Sequence, residues 1–201
     1  MPMHVAVAVS GRGSNLEALL RALGSDGPAR VVLVLSNRAD APALGRAAGR
    51  GIPTVTLRDP GDGREWLSAL DRHRVDLLVL AGYLKLVPAD VVSPYRGRIL
   101  NVHPALLPAF GGKGMYGRRV HEAVLASGAR ESGATVHLVD EAYDRGAILA
   151  QARVPVLPGD DVDTLAARVL EVEHRLLPAV VLAAAAAGRP VPLSEFAESN
   201  P

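Results

Sequence analysis

Residues 4–35 read HVAVAV-SGRGSN-LEALLRAL-GSDGPAR-VVLVL, and this stretch decides the fold. Its two apolar runs, His4–Val9 and Val31–Leu35, are β-branched and show no polar alternation. That pattern predicts strands covered on both faces, the condition of a parallel sheet. Between them Leu16, Leu19, Leu20 and Leu23 fall on one helical face, and Ser14 or Asn15 stands where an N-cap belongs. Strand, helix and strand make one βαβ unit.

The pattern continues outward from this unit. Ala41–Arg50 predicts a helix, Pro53–Leu57 a strand, Glu65–His73 a helix, and Val75–Leu80 and Arg98–Val102 two further buried strands. The expected fold is therefore α/β, a doubly wound, mostly parallel sheet flanked by helices in the Rossmann-like manner. His103–Pro108 must leave the sheet, because Pro104 and Pro108 cannot donate to a ladder. Thr135–Val139 and Ala147–Val156 read as a hairpin-like pair around Asp140–Gly146, and Asp163–Ala187 as a long closing helix bent near Pro178. Without a repeat or long linker, one domain over residues 1–190 is expected, and the tail 191–201 carries no signal.

Composition narrows the function class. Of 201 residues 49% are hydrophobic and 21% charged, ordinary globular usage. Lys and Arg number 22 against 21 Asp and Glu, so a net charge of +1 gives no global attraction to nucleic acid. Zero cysteines exclude a disulfide framework, a thiolate metal site and a cysteine nucleophile, and suit a reducing cytoplasm. The N-terminus lacks the basic and long apolar regions of a signal peptide, and the Ala-rich run Val180–Ala187 is too short to span a bilayer, so no membrane partner is expected.

Three groups of residues can carry chemistry. Ser10–Asn15 lies between a strand and a helix start, where orphan amides and the helix dipole favour an anion such as phosphate. Leu16 occupies the third glycine position of a dinucleotide fingerprint, so that motif fails; a tight turn that merely needs its glycines is the alternative. Asn101 and His103, two apart at a strand end, project to one side, and an amide with an imidazole suits oxyanion stabilisation and proton movement in acyl transfer. Asp140, Glu141 and Asp144 form an acidic loop, and one carboxylate meeting the imidazole would raise its pKa; otherwise the loop is a solvated turn. The histidines show no metal-ligand spacing, so no metal is expected.

Together these residues resemble the phosphoribosylglycinamide formyltransferases across roughly Val5–Pro178. The resemblance is carried by Ser-Gly-x-Gly-Ser-Asn at 10–15, Leu80–Leu86 (LAGYLKL), Asn101–Pro108 (NVHPALLP), and Gly133–His137 (GATVH) followed by Asp140–Asp144. It implies transfer of a formyl group from 10-formyltetrahydrofolate, a cosubstrate, to the amine of 5'-phosphoribosylglycinamide in purine biosynthesis. By the same resemblance Asn101, His103 and Asp144 match the catalytic trio, with His103 protonated and held by Asp144. Gly13, Ser14 and Asn15 look like the phosphate cradle, and Glu173 is similar to the acid that contacts the substrate's sugar. Arg64, Leu84, Lys85, Leu86, Val87 and the loop Asp140, Glu141, Ala142, Tyr143 and Asp144 resemble the folate-holding parts. A phosphate-binding half over about 1–100 and a folate and catalytic half over about 101–190 follow, in a monomer or homodimer.

Arg12 fills a variable slot, Gly111–Gly117 lengthens the segment after Pro108, and Arg145 replaces a small residue. The resemblance implies extra domains for enzymes that formylate methionyl-tRNA or hydrolyse formylfolate, and 201 residues are expected to leave room for neither.

Overall fold

Continuous apolar runs do form the centre of the molecule. The computed structural model describes residues 1–193 and 196. Five strands, β1 (Met3–Val9), β2 (Ala29–Ser36), β3 (Thr54–Thr56), β4 (Leu77–Leu80) and β5 (Ile99–His103), pair in parallel, and β6 (Glu131–Leu138) and β7 (Ile148–Pro155) add antiparallel. The sheet order is β3-β2-β1-β4-β5-β6-β7. It is the mostly parallel, doubly wound α/β sheet that the periodicity predicts, with the antiparallel pair at one edge.

Two cores explain why β1 carries no polar alternation. Val5, Val7 and Val9 pack with α1 (Ser14–Leu23), α2 (Pro42–Ala48), α5 (Arg118–Ala126) and α6 (Val162–Ala187), while Ala6 and Ala8 face the layer of α3 (Gly63–Arg72) and α4 (Ala89–Val92) around Trp66. Each fully buried Val or Leu contributes about 1.5–3 kcal/mol.

After β3 the chain returns across β1 to form β4, so connections leave β1 and β4 in opposite directions along the sheet. A crevice opens at such a switch point, beyond the carboxyl ends of the strands. Ser10, just past β1, ties its walls together: its hydroxyl donates to Asn37 Oδ1 at 2.6 Å and accepts from the Leu84 amide at 2.9 Å.

Several local expectations are corrected. Neither Ser14 nor Asn15 caps α1; Gly13, at φ 78°, is the N-cap, and glycine has no side chain to bond the first amides. Arg118–His121 forms the first turn of α5, which exposes Arg118 and Arg119 and buries Val120, His121 and Val124. The short α4, buried through Val91 and Val92, was not legible from spacing. The closing helix begins at Val162 under a capping box between Asp161 and Thr164 and runs through the buried Pro178. In the tail, Leu193 donates to the Leu149 carbonyl at 2.9 Å, and Leu193 and Phe196 pack on the core; the rest of 194–201 lies outside the described residues. Among the described residues no helix is long and apolar enough to cross a membrane.

Candidate active site

Strand alternation places Asn101 and His103 on one side of β5, and the antiparallel register sets His137 opposite Asn101 and Thr135 opposite His103. Asn101 Nδ2 lies 3.0 Å from His137 Nε2, while His137 Nδ1 is 2.7 Å from the Leu138 carbonyl. A carbonyl only accepts, so the His137 proton sits on Nδ1 and its Nε2 receives one hydrogen of the Asn101 amide. The other hydrogen has only the long 3.5 Å contact with Asp144 Oδ1.

Asp144 reaches this cluster from the loop after β6, at a left-handed φ of 54° that aspartate tolerates better than most residues. Its Oδ2 accepts from the Gly112 amide at 2.9 Å and stands 3.6 Å from His103 Nδ1; its Oδ1 is 3.5 Å from His137 Nε2. His103 Nε2 donates to the Phe110 carbonyl at 2.8 Å. The turn that follows His103 is anchored by Thr135, whose hydroxyl donates to the Ala105 carbonyl at 2.6 Å and accepts from the Leu107 amide at 3.1 Å. Leu107–Pro108 is cis.

The electrostatics correct one expectation. Burial holds the His103 imidazole below its ordinary value, and the pull of Asp144 and the Phe110 carbonyl in the other direction does not overcome it. The ring is therefore neutral at pH 7 rather than protonated. For Asp144 burial pushes the carboxyl up, but the surrounding His137, His103 and Gly112 amide favour its ionised form, outweigh burial and hold it below its ordinary range.

These side chains form the floor of a cavity of about 570 Å³. Lining it are Gly11, Arg12 and Asn15 from the turn and start of α1, Leu170 and Glu173 from α6, and Leu84–Val87, Asp140, Ala142 and Tyr143. Glu173 is 7% exposed and takes a 2.6 Å hydrogen bond from Asn15 Nδ2. Burial pushes its carboxyl up to about 7, opposed only by that bond.

Of the residues singled out from sequence, the structure thus gathers Asn15, Leu84, Lys85, Leu86, Val87, Asn101, His103, Asp140, Ala142, Tyr143, Asp144 and Glu173 around one space. Gly13 and Ser14 sit beside it without lining it. Arg64 is turned to Asp62 at 3.2 Å and Glu141 is paired with Arg96, so neither faces the cavity. His137 carries no role in the sequence reading. Its signal was the two-residue spacing to Thr135 on a strand expected to form a hairpin, which becomes informative only once the register against β5 is known. Among the described residues no group of three or more His, Cys, Asp or Glu side chains is arranged to hold a metal ion. A second cavity of about 570 Å³, lined by Leu20, Arg30, Arg50 and Pro53, contains none of these groups.

Residues 3–181 match the formyl transferase family. The chain is 48% identical over 186 residues to a chloroplastic phosphoribosylglycinamide formyltransferase of Arabidopsis thaliana, covering 88% of this chain and 63% of the plant protein. It is 45% identical over 193 residues to the protein of that name from Mycobacterium tuberculosis, covering 93% and 87%. The crystal structure of phosphoribosylglycinamide formyltransferase from Anaplasma phagocytophilum superposes with a TM-score of 0.86 at 38% identity, covering 92% of this chain and 88% of that one. The chain thus spans less than two thirds of the plant relative and most of the bacterial ones.

Proposed function

Since the chain belongs to the formyl transferase family, among its phosphoribosylglycinamide formyltransferases, we propose that it transfers the formyl group of 10-formyltetrahydrofolate to the amine of 5'-phosphoribosylglycinamide. The products are formylglycinamide ribonucleotide and tetrahydrofolate, in purine biosynthesis. The observation that carries this reading is the meeting of Asn101, His103 and Asp144 in the lining of one cavity. Part of its lining is a helix start and a buried carboxyl, suited to a sugar phosphate; another part is the Leu84–Val87 segment with residues of the 140–144 loop, suited to a pterin. We assign the acceptor to the first group of residues and the folate to the second, with catalysis in the cytoplasm.

In this mechanism the amine lone pair attacks the formyl carbon, a C–N bond forms, and the carbonyl becomes an oxyanion. The Asn101 hydrogen that lacks a close partner donates to that oxyanion. His103 enters neutral, with Nε2–H held by the Phe110 carbonyl, and its Nδ1 takes the proton that the amine sheds. The imidazolium so formed is paired by Asp144, 3.6 Å away. Collapse of the intermediate breaks the bond to the folate nitrogen, which receives the proton from His103, leaving the enzyme unchanged.

The test follows deformylated folate by absorbance, with and without the phosphoribosylglycinamide, for wild type and His103→Ala. Turnover is expected only with the acceptor, and the variant should lose about 10²–10³ in rate. Turnover without acceptor identifies a hydrolase and overturns the assignment, as does inactivity in folded protein.

A further inference from the structure

The transfer described above gives no task to Arg12, one of the cavity's side chains. Three lysine or arginine residues line the cavity: Arg12, Lys85 and Arg118. Arg118 is paired with Asp163, and Lys85 stands on the segment assigned to the folate. Arg12 is exposed and, among the described residues, makes no ion pair, side-chain hydrogen bond or ring contact.

Its position is fixed from both sides. The Gly11 carbonyl accepts from the Ala43 amide at 3.3 Å. At Gly13, φ 78°, an added Cβ would stand 2.6 Å from Ala43 Cβ, so the turn lies flat against α2. The backbone on either side of Arg12 is thereby held, and Arg12 lines the cavity two residues before the start of α1.

That start is open. The first helical bond runs from the Glu17 amide to the Gly13 carbonyl, so no side chain or helical carbonyl takes the amides of Ser14, Asn15 and Leu16. Asn15, itself only 7% exposed and lining the cavity, has its Oδ1 without a partner. An uncapped helix start and an unpaired guanidinium thus border the same cavity, to which α6 contributes Ala166, Leu170 and the carboxyls of Asp163, paired with Arg118, and Glu173, bonded to Asn15.

We propose that Arg12 is a specificity-determining residue that closes over the acceptor's phosphate, adding a forked, charge-assisted contact to the amides of α1. This rests on the acceptor being a sugar phosphate, as assigned above. Arg12 then sets affinity for the acceptor and leaves the chemical step untouched, because it lies at the phosphate end of the substrate and makes the same contact before and during reaction.

Steady-state kinetics of wild type, Arg12→Ala and Arg12→Lys test this, alongside calorimetric titration of each protein with ribose 5-phosphate. Arg12→Ala should raise the acceptor KM about 10- to 100-fold, the range for losing a hydrogen bond between charged groups. Its kcat and folate KM should stay within about two-fold, and Arg12→Lys should recover part of the loss. Ribose 5-phosphate should bind the wild type and bind Arg12→Ala at least about ten-fold more weakly. An unchanged acceptor KM, or equal binding of ribose 5-phosphate by both proteins, overturns the proposal, as does no binding by the wild type. If transfer to phosphoribosylglycinamide is absent while ribose 5-phosphate binds in an Arg12-dependent way, the acceptor assignment fails and the role of Arg12 stands.

Discussion

Glu173→Gln should stabilise the protein at pH 8 and leave it nearly unchanged at pH 5. In the folded protein burial lifts this carboxyl from its ordinary 4.5 to about 7. Between those two values the folded chain keeps a proton that the unfolded chain has released, so stability falls as pH rises through this window. Above about 7 both states are ionised and the whole penalty is in place, at most about 3 kcal/mol at about 1.4 kcal/mol per pH unit. Glutamine keeps the shape and an oxygen to accept the Asn15 Nδ2 bond, but it cannot ionise. Thermal unfolding across pH 5–8 reads the effect. For a chain of this size about 3 kcal/mol corresponds to a midpoint gap of roughly 6–12 °C at pH 8, closing towards pH 5. A gap of equal size at both pH values, or a variant less stable than wild type at pH 8, would refute the reasoning. The same variant should show a raised acceptor KM, the pattern of a destabilising group retained for function.

Two other outcomes follow from the geometry. Asp144→Asn should fold, since asparagine also accepts a left-handed φ, yet lose about 10²-fold or more in kcat. With the carboxylate charge gone, the His103 titration followed by NMR should move further down; an unmoved His103 titration would break the proposed pairing. Tyr83→Phe should leave stability unchanged or raise it by up to about 1 kcal/mol in denaturant unfolding, because the buried phenol oxygen has no partner and the ring keeps its edge-on contact with Trp66 at 5.3 Å. A clear loss of stability would show a partner for the hydroxyl.

Legibility differed between fold and site for a physical reason. Buried parallel strands and amphipathic helices are written locally, as runs such as His4–Val9 and as faces such as Leu16, Leu19 and Leu23, so their types and order could be read directly. Element ends were less accessible. A Gly13 cap with no side chain leaves no mark beyond the glycine itself, and the single turn of α4 is too short to show a period. At the site, Asn101 and His103 were visible as a pair because strand alternation fixes neighbours two apart. His137 was not, because its place opposite Asn101 is a matter of register between two strands 36 residues apart.

What the sequence determined by itself was the α/β order of elements, the glycine turn at the start of α1, and the residue types available for acyl transfer. Tertiary structure alone decided which of those residues share a space. It brought Asp144 from a loop to the end of β5, set Glu173 of the last helix against Asn15 of the first, and turned Arg64 and Glu141 away to Asp62 and Arg96. It also decided charge. The sequence placed a carboxylate near His103 and so predicted a raised imidazole, but desolvation depends on how much protein surrounds the ring, and here burial wins over the single carboxylate. Proximity across the sheet and exclusion of water belong to the packed molecule, because both depend on atoms far apart in the chain.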